Sequence, residues 1–143
     1  MTYLVSACLL GCPCRYDGRS KPIRTEIAAL LARHTLIPVC PECFGGLPTP
    51  RPPAERLGER VINCEGRDVT EEYRRGARET LRLARLYRAD GVILCDKSPS
   101  CGTSGIYDGS FTRTLCDGVG LCAELLIREG ITVFGACGPS GAR

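Results

Sequence analysis

Three short apolar runs, far apart in the chain, each end in a cysteine-bearing turn. Tyr3-Leu4-Val5 leads into Ser6-Ala7-Cys8-Leu9-Leu10-Gly11, and Leu36-Ile37-Pro38-Val39 leads into Cys40-Pro41-Glu42. Gly91-Val92-Ile93-Leu94-Cys95 leads, through Asp96 and Lys97, into Ser98-Pro99-Ser100-Cys101-Gly102. Short apolar runs bounded by Gly and Pro read as buried strands. Helical patterns separate them. Ile23, Ile27, Leu30 and Leu31 have helical spacing over Ile23–His34. Tyr73, Ala77, Thr80, Leu81, Ala84 and Tyr87 form one stripe of a long helix that Thr70 is placed to N-cap, with Glu71 and Glu72 in its first turn. A last helix runs from a cap at Asp117 to Glu129, and Ile131–Phe134 reads as a final strand.

Strands alternating with helices predict an α/β fold: one domain over 1–143, a mainly parallel central sheet and flanking helices in a Rossmann-like three-layer arrangement. Two segments interrupt the alternation. Pro41–Pro53 holds five prolines and Gly45-Gly46, and is expected to contain neither regular helix nor central strand. Irregular stretches of that length inside a compact domain are usually functional. Arg60–Val69 reads as a hairpin turning at Glu65-Gly66.

A chain of 143 residues buries enough surface to fold without disulfide staples. The N-terminus lacks the basic region and long apolar run of a secretory signal, and no stretch approaches a membrane span. A cytoplasmic location is therefore expected, and there cysteine chemistry tends toward metal binding or catalysis. The count of 11 cysteines is odd, which argues against complete pairing. A net charge of +3 does not by itself imply nucleic acid. Arg74, Arg75, Arg78, Arg82, Arg85 and Arg88 crowd the long helix, where Glu71, Glu72 and Glu79 offer counter-charges. A solvated face is the expectation, and a tRNA-binding, sulfur-handling protein is the alternative.

The cysteines sort by context. Cys64, Cys95, Cys116, Cys122 and Cys137 read as packing residues. Cys8, Cys40 and Cys101 lie just past strand ends, at the edge where open α/β sheets place their sites. Cys12, Cys14 and Cys43 form a second tier. Cys40-Pro-Glu-Cys43 with Cys8, Cys12 and Cys14 would suit a zinc-binding structural or interaction module, but there is no second C-x-x-C, and His34, at a helix end, is the only histidine. Three thiolates without an evident fourth suit a [4Fe–4S] cluster with one open iron, a Lewis acid toward a bound group. Glu42, two residues past Cys40, is a candidate proton carrier. Lys97, Ser98 and Ser100 are candidates to orient a small polar substrate, although Ser-Pro-Ser is also ordinary turn chemistry. Arg15 and Asp17 are weaker pocket candidates.

Taken together, these loops resemble a bacterial family of iron–sulfur thiouracil desulfidases, formerly a domain of unknown function. The match is carried by Ser6–Gly11, Cys14-Arg15-Tyr16-Asp17-Gly18, Pro38–Glu42, Gly45–Glu55, Ser98–Gly102 and Ile106-Tyr107-Asp108-Gly109. It spans nearly the whole chain. The resemblance implies a cytoplasmic, non-redox desulfidase, a hydrolase or lyase acting on a C–S bond. Its substrate would be a small thiolated nucleobase or nucleotide such as 2-thiouracil. It implies a [4Fe–4S] cluster with one iron free of protein ligands, bound by Cys8, Cys40 and Cys101. It also implies Glu42 as acid/base and a serine of the Ser-Pro-Ser motif, Ser98 ahead of Ser100. Cys12 and Cys43 depart from the family pattern and leave another ligand open.

Overall fold

Alternating side chains on two central strands build the cores on the two faces of the main sheet. A computed structural model describes residues 1–139, and the end of the expected domain, 140–143, lies outside the described residues. The elements in order are β1 (Thr2–Ser6), a 3-10 turn (Ala7–Leu10), α1 (Thr25–Leu31), β2 (Thr35–Val39), α2 (Pro41–Phe44), β3 (Ala54–Leu57) and β4 (Arg60–Asn63). They continue with α3 (Thr70–Leu86), β5 (Gly91–Ile93), β6 (Ile106–Tyr107), β7 (Leu115–Cys116), α4 (Leu121–Arg128) and β8 (Val133–Phe134). The main sheet has the order β2-β1-β5-β8 and every pair is parallel. Tyr3, Val5 and Ile93 face α1 through Ile27 and Leu30. Leu4, Val92 and Leu94 face Ala77, Leu81 and Ala84 of α3 and Cys122, Ala123 and Leu126 of α4. That period-2 division gives three layers and the expected α/β architecture. Central parallel strands buried on both faces must read as continuous apolar runs, and these do. Gly91 is needed because a side chain there would collide with the Phe134 ring on β8.

Several local expectations are corrected. The hairpin does turn at Glu65-Gly66, with Asp68 bridged antiparallel to Ile62 and the Val69 N–H donating to the Val61 carbonyl, but β4 also pairs antiparallel with β3, around Gly58-Glu59, which the expected hairpin did not include. The Asn63 side chain accepts the N–H groups of Glu65 and Arg67, which folds Glu65-Gly66 into a tight turn. Pro41–Phe44 is a single helical turn inside the proline-rich segment. Proline is tolerated there because the first helical N–H has no partner in any case. Thr70 is not the cap: its N–H donates to the Asp68 carboxylate and its hydroxyl accepts the Val61 N–H. Tyr87, at the end of the α3 stripe, is 52% exposed. The last helix starts at Leu121 after Gly120, not at Asp117. No described helix is long and apolar enough to cross a membrane.

Candidate active site

β1, β2 and β5 are parallel neighbours or near-neighbours, so their C-terminal ends open on one edge of the sheet. Each strand delivers a cysteine there. β1 ends in Ser6, and Cys8 follows in the 3-10 turn, which Gly11 closes with φ of 82°. β2 ends at Val39, and Cys40 is the extended residue before α2. After β5 the chain passes Cys95 and Lys97 (φ 68°) into the Ser98–Cys101 turn, where Cys101 is buried.

Backbone packing fixes two of these segments. α2 lies directly on α3: a side chain at Gly76 would overlap the Pro41 carbonyl, and one at Gly45 would overlap that of Glu72. Such close approach sets the position of Cys40 and Glu42. The Ser-Pro-Ser turn is held by α4, whose first N–H groups have no partner within their own helix. Leu121 N–H donates to the Pro99 carbonyl at 2.8 Å and Cys122 N–H to that of Ser100 at 3.0 Å. A side chain at Gly120 would strike the Ser100 backbone.

Glu42 joins the two segments. Its Oε1 accepts the Tyr73 hydroxyl at 2.7 Å and Arg51 Nε at 3.0 Å, and its Oε2 accepts the Ser98 hydroxyl at 3.2 Å. Ser98 Oγ in turn accepts the N–H groups of Ser100 and Cys101. The Arg51 side chain is 4% exposed and also donates to the carbonyls of Pro48 and Cys14 and to the Thr49 hydroxyl. Burial works against its charge, but the Glu42 carboxylate more than offsets this and raises its pKa. Burial, and then the same carboxylate, push the Tyr73 phenol far above its usual range. Tyr73 therefore serves as a fixed hydrogen-bond donor. Ser100 Oγ, fully buried, has no hydrogen-bond partner.

The thiols form two groups on the same edge. Cys8, Cys95 and Cys101 are linked by sulfur contacts, and Cys14, Cys40 and Cys43 by others. Contact with Cys95, then burial, raises the Cys8 thiol; contact with Cys14, then burial, raises Cys40. Contact with Cys40 lowers Cys14. At Cys101 the Cys95 contact lowers the thiol, but burial and neighbouring charge outweigh it. Among the described residues no three His, Cys, Asp or Glu side chains converge on a point suited to one metal ion. An iron–sulfur cluster spreads its ligands over different irons, and soft thiols on three separate loops fit that need.

The other candidates lie elsewhere or have structural partners. Asp17 accepts the Arg19 N–H and stands 3.8 Å from Arg15. His34 contacts the N-terminal amine and the Tyr3 ring. On α3, Arg78 pairs with Glu71, Arg82 with Glu79 and Arg85 with Glu129, while Arg75 donates to the Gly45 carbonyl. Those contacts are ones a solvated helix face would make.

The 2-thiouracil desulfurase family profile matches residues 3–136. The chain belongs to the 2-thiouracil desulfurase family. Members act on a carbon–sulfur bond, and this chain is an enzyme of that kind. The uncharacterized protein YbbK of Bacillus subtilis (strain 168) is 40% identical over 141 residues, covering 92% of this chain and 93% of its own. A solved structure of the [4Fe-4S]-dependent thiouracil desulfidase TudS (DUF523Vcz) superposes with a TM-score of 0.89 at 47% identity. That match covers 94% of this chain and 89% of the other.

In this desulfurase-family chain the structure brings Glu42 and Ser98 together, whereas the Ser100 hydroxyl is buried without a hydrogen-bond partner. The structure adds Arg51, Tyr73, Cys14 and Cys95 to the neighbourhood. Arg51 stands between prolines in a stretch that reads only as loop, and Tyr73 reads as one more apolar position on α3. A cleft of about 610 Å³ begins at Asp96 and Lys97, just before Ser98, and is also lined by Ser104, Gly105 and Asp117.

Proposed function

We propose that this protein removes sulfur from a thiolated pyrimidine such as 2-thiouracil, using a [4Fe–4S] cluster held by Cys8, Cys40 and Cys101. The observation that carries this reading is the link from Glu42 to Ser98, which joins the Cys40 loop to the Cys101 loop. When bound, the cluster supplies an iron without a protein ligand, a Lewis acid for the thiocarbonyl sulfur. The net change is hydrolytic: oxygen from water replaces sulfur on the carbon, sulfur leaves as sulfide, and no electrons are exchanged.

The chain's own residues supply position and proton transfer. Arg51 and Tyr73 occupy Oε1 of Glu42, which leaves Oε2 as the working oxygen. Oε2 takes a proton from the attacking water and returns it to the departing side. The Ser98 hydroxyl, fixed by two backbone N–H groups, aims Oε2 and can donate to the substrate when the base enters.

Cys14 and Cys43, both in contact with Cys40, and Cys95, in contact with Cys8 and Cys101, are competing ligands. The deciding experiment is anaerobic reconstitution followed by iron and sulfide analysis and a 2-thiouracil turnover assay. About four irons and four sulfides per chain with turnover are expected. Alanine at Cys8, Cys40 or Cys101 should abolish both, whereas serine at Cys14 or Cys43 should abolish neither. Zinc without labile sulfide, or full turnover in Cys101→Ala, would reject the proposal.

A further inference from the structure

The geometry points to Ser6 as a positioning residue that donates a hydrogen bond to the sulfur of Cys101 and so tunes the cluster bound there. The inference rests on Cys101 being a cluster ligand, as proposed above.

Ser6 is the last residue of β1 and only 2% exposed. Its place beside β5 brings it under the Cys95–Cys101 segment, 89 and 95 positions away in sequence. A serine hydroxyl has one proton and two lone pairs. A lone pair of Ser6 Oγ accepts the Cys95 N–H at 3.0 Å. That bond orients the hydroxyl, whose proton is directed to Cys101 Sγ at 3.8 Å. Sulfur is a large acceptor, so its hydrogen bonds are long, and a metal-bound thiolate accepts more strongly than a thiol.

At Cys101 the donor is a side chain, so a substitution can remove it. Ser100 Oγ completes no hydrogen bond. Hydrogen bonds to ligating sulfur help set cluster reduction potential. A donor at Cys101 draws charge off the sulfur and stabilises the more negative, reduced form. It thereby leaves the cluster a better electron-pair acceptor.

The test compares reconstituted wild type with Ser6→Ala by iron and sulfide content, thermal melting and anaerobic redox titration followed by absorbance and electron paramagnetic resonance. Ser6→Ala should hold the same iron and sulfide and be reduced at a more negative potential. Ser6→Thr and Ser6→Val form a second pair of nearly equal volume that differs in the hydroxyl. Threonine should stay near the wild-type potential and valine should follow alanine, and this pair decides the matter if alanine fails to fold. Equal potentials in wild type and Ser6→Ala, or equal shifts in threonine and valine, would overturn the role of Ser6 alone. A wild type that takes up no iron and sulfide would instead refute the cluster assignment, and this inference with it.

Discussion

Replacing Gly76 with alanine should destabilise the protein, although alanine is the better helix former. In an ordinary helix interior the change favours folding by about 1 kcal/mol. Gly76 lies within α3, where a methyl group would occupy the space of the Pro41 carbonyl oxygen. The obstacle is backbone at the first residue of α2, so no rotamer change relieves it. Overpacking typically costs 1–3 kcal/mol, and this rigid case belongs at the upper end, leaving a net loss of about 2 kcal/mol. For a domain of this size about 4 °C of Tm accompanies each kcal/mol, so the Tm should fall by about 8 °C. Relief requires α2 to retreat from α3, carrying Cys40 and Glu42 with it; a misplacement on the order of 1 Å can cost about 100-fold in rate. Calorimetry of Gly76→Ala and 2-thiouracil turnover by the reconstituted variant provide the measurements. A Tm equal to or above wild type with unchanged turnover would refute the claim that this contact sets the site.

Glu42→Gln should keep its iron and sulfide and lose about 10²- to 10⁴-fold in kcat, the usual worth of a general acid–base group. Arg51→Ala removes one partner of a largely buried pair, with Arg51 4% and Glu42 15% exposed. A loss of about 3–5 kcal/mol in chemical denaturation is expected, and Glu42→Gln in the same chain should recover part of it. Cys122 is buried, and burial pushes its thiol from 9.0 up to about 12. The folded chain therefore keeps a proton that the unfolded chain releases, so this contribution is intact below pH 9.0 and is lost as pH rises toward about 12. Each pH unit in that window costs about 1.4 kcal/mol. Cys122→Ala should make the alkaline fall in denaturation free energy shallower than in wild type.

The parts of this fold that were legible are those set by local rules. β1 and β5 are flanked by packed layers on both sides, so their sequences had to be runs of Tyr, Leu, Val and Ile. Cys8, Cys40 and Cys101 could be singled out because each follows such a run at a Gly- or Pro-bearing turn. α2 left no trace in periodicity, since four residues make barely one turn and begin with proline. β3 was hidden behind Pro52 and Pro53, so its pairing with β4, beside the Arg60–Val69 hairpin, was not expected. The surroundings of Glu42 were not legible because its partners are long-range: Tyr73 lies 31 positions away and Ser98 lies 56. Arg51 and Tyr73 gain their roles only when α2 is laid on α3. Cys95 reads as a packing residue from its apolar run, and only the adjacency of β1 and β5 places its sulfur between Cys8 and Cys101.

The anchoring of the Ser-Pro-Ser turn by α4 also determines where this enzyme tolerates remodelling. Gly120 N–H donates to the Gly102 carbonyl at 2.9 Å, so the chain leaves the turn and returns to the same point. Residues 103–119, including the β6–β7 hairpin, form an excursion with a clasped base. Doubling the length of such a closed excursion costs only about 0.6 kcal/mol in loop entropy. Because the clasp and the helix beneath it hold Ser98 and Cys101, this excursion is a natural cassette. Ser104, Gly105 and Asp117 of this excursion line the cleft, so a longer or shorter graft here would reshape that wall while the clasp keeps the Ser98–Cys101 turn in place.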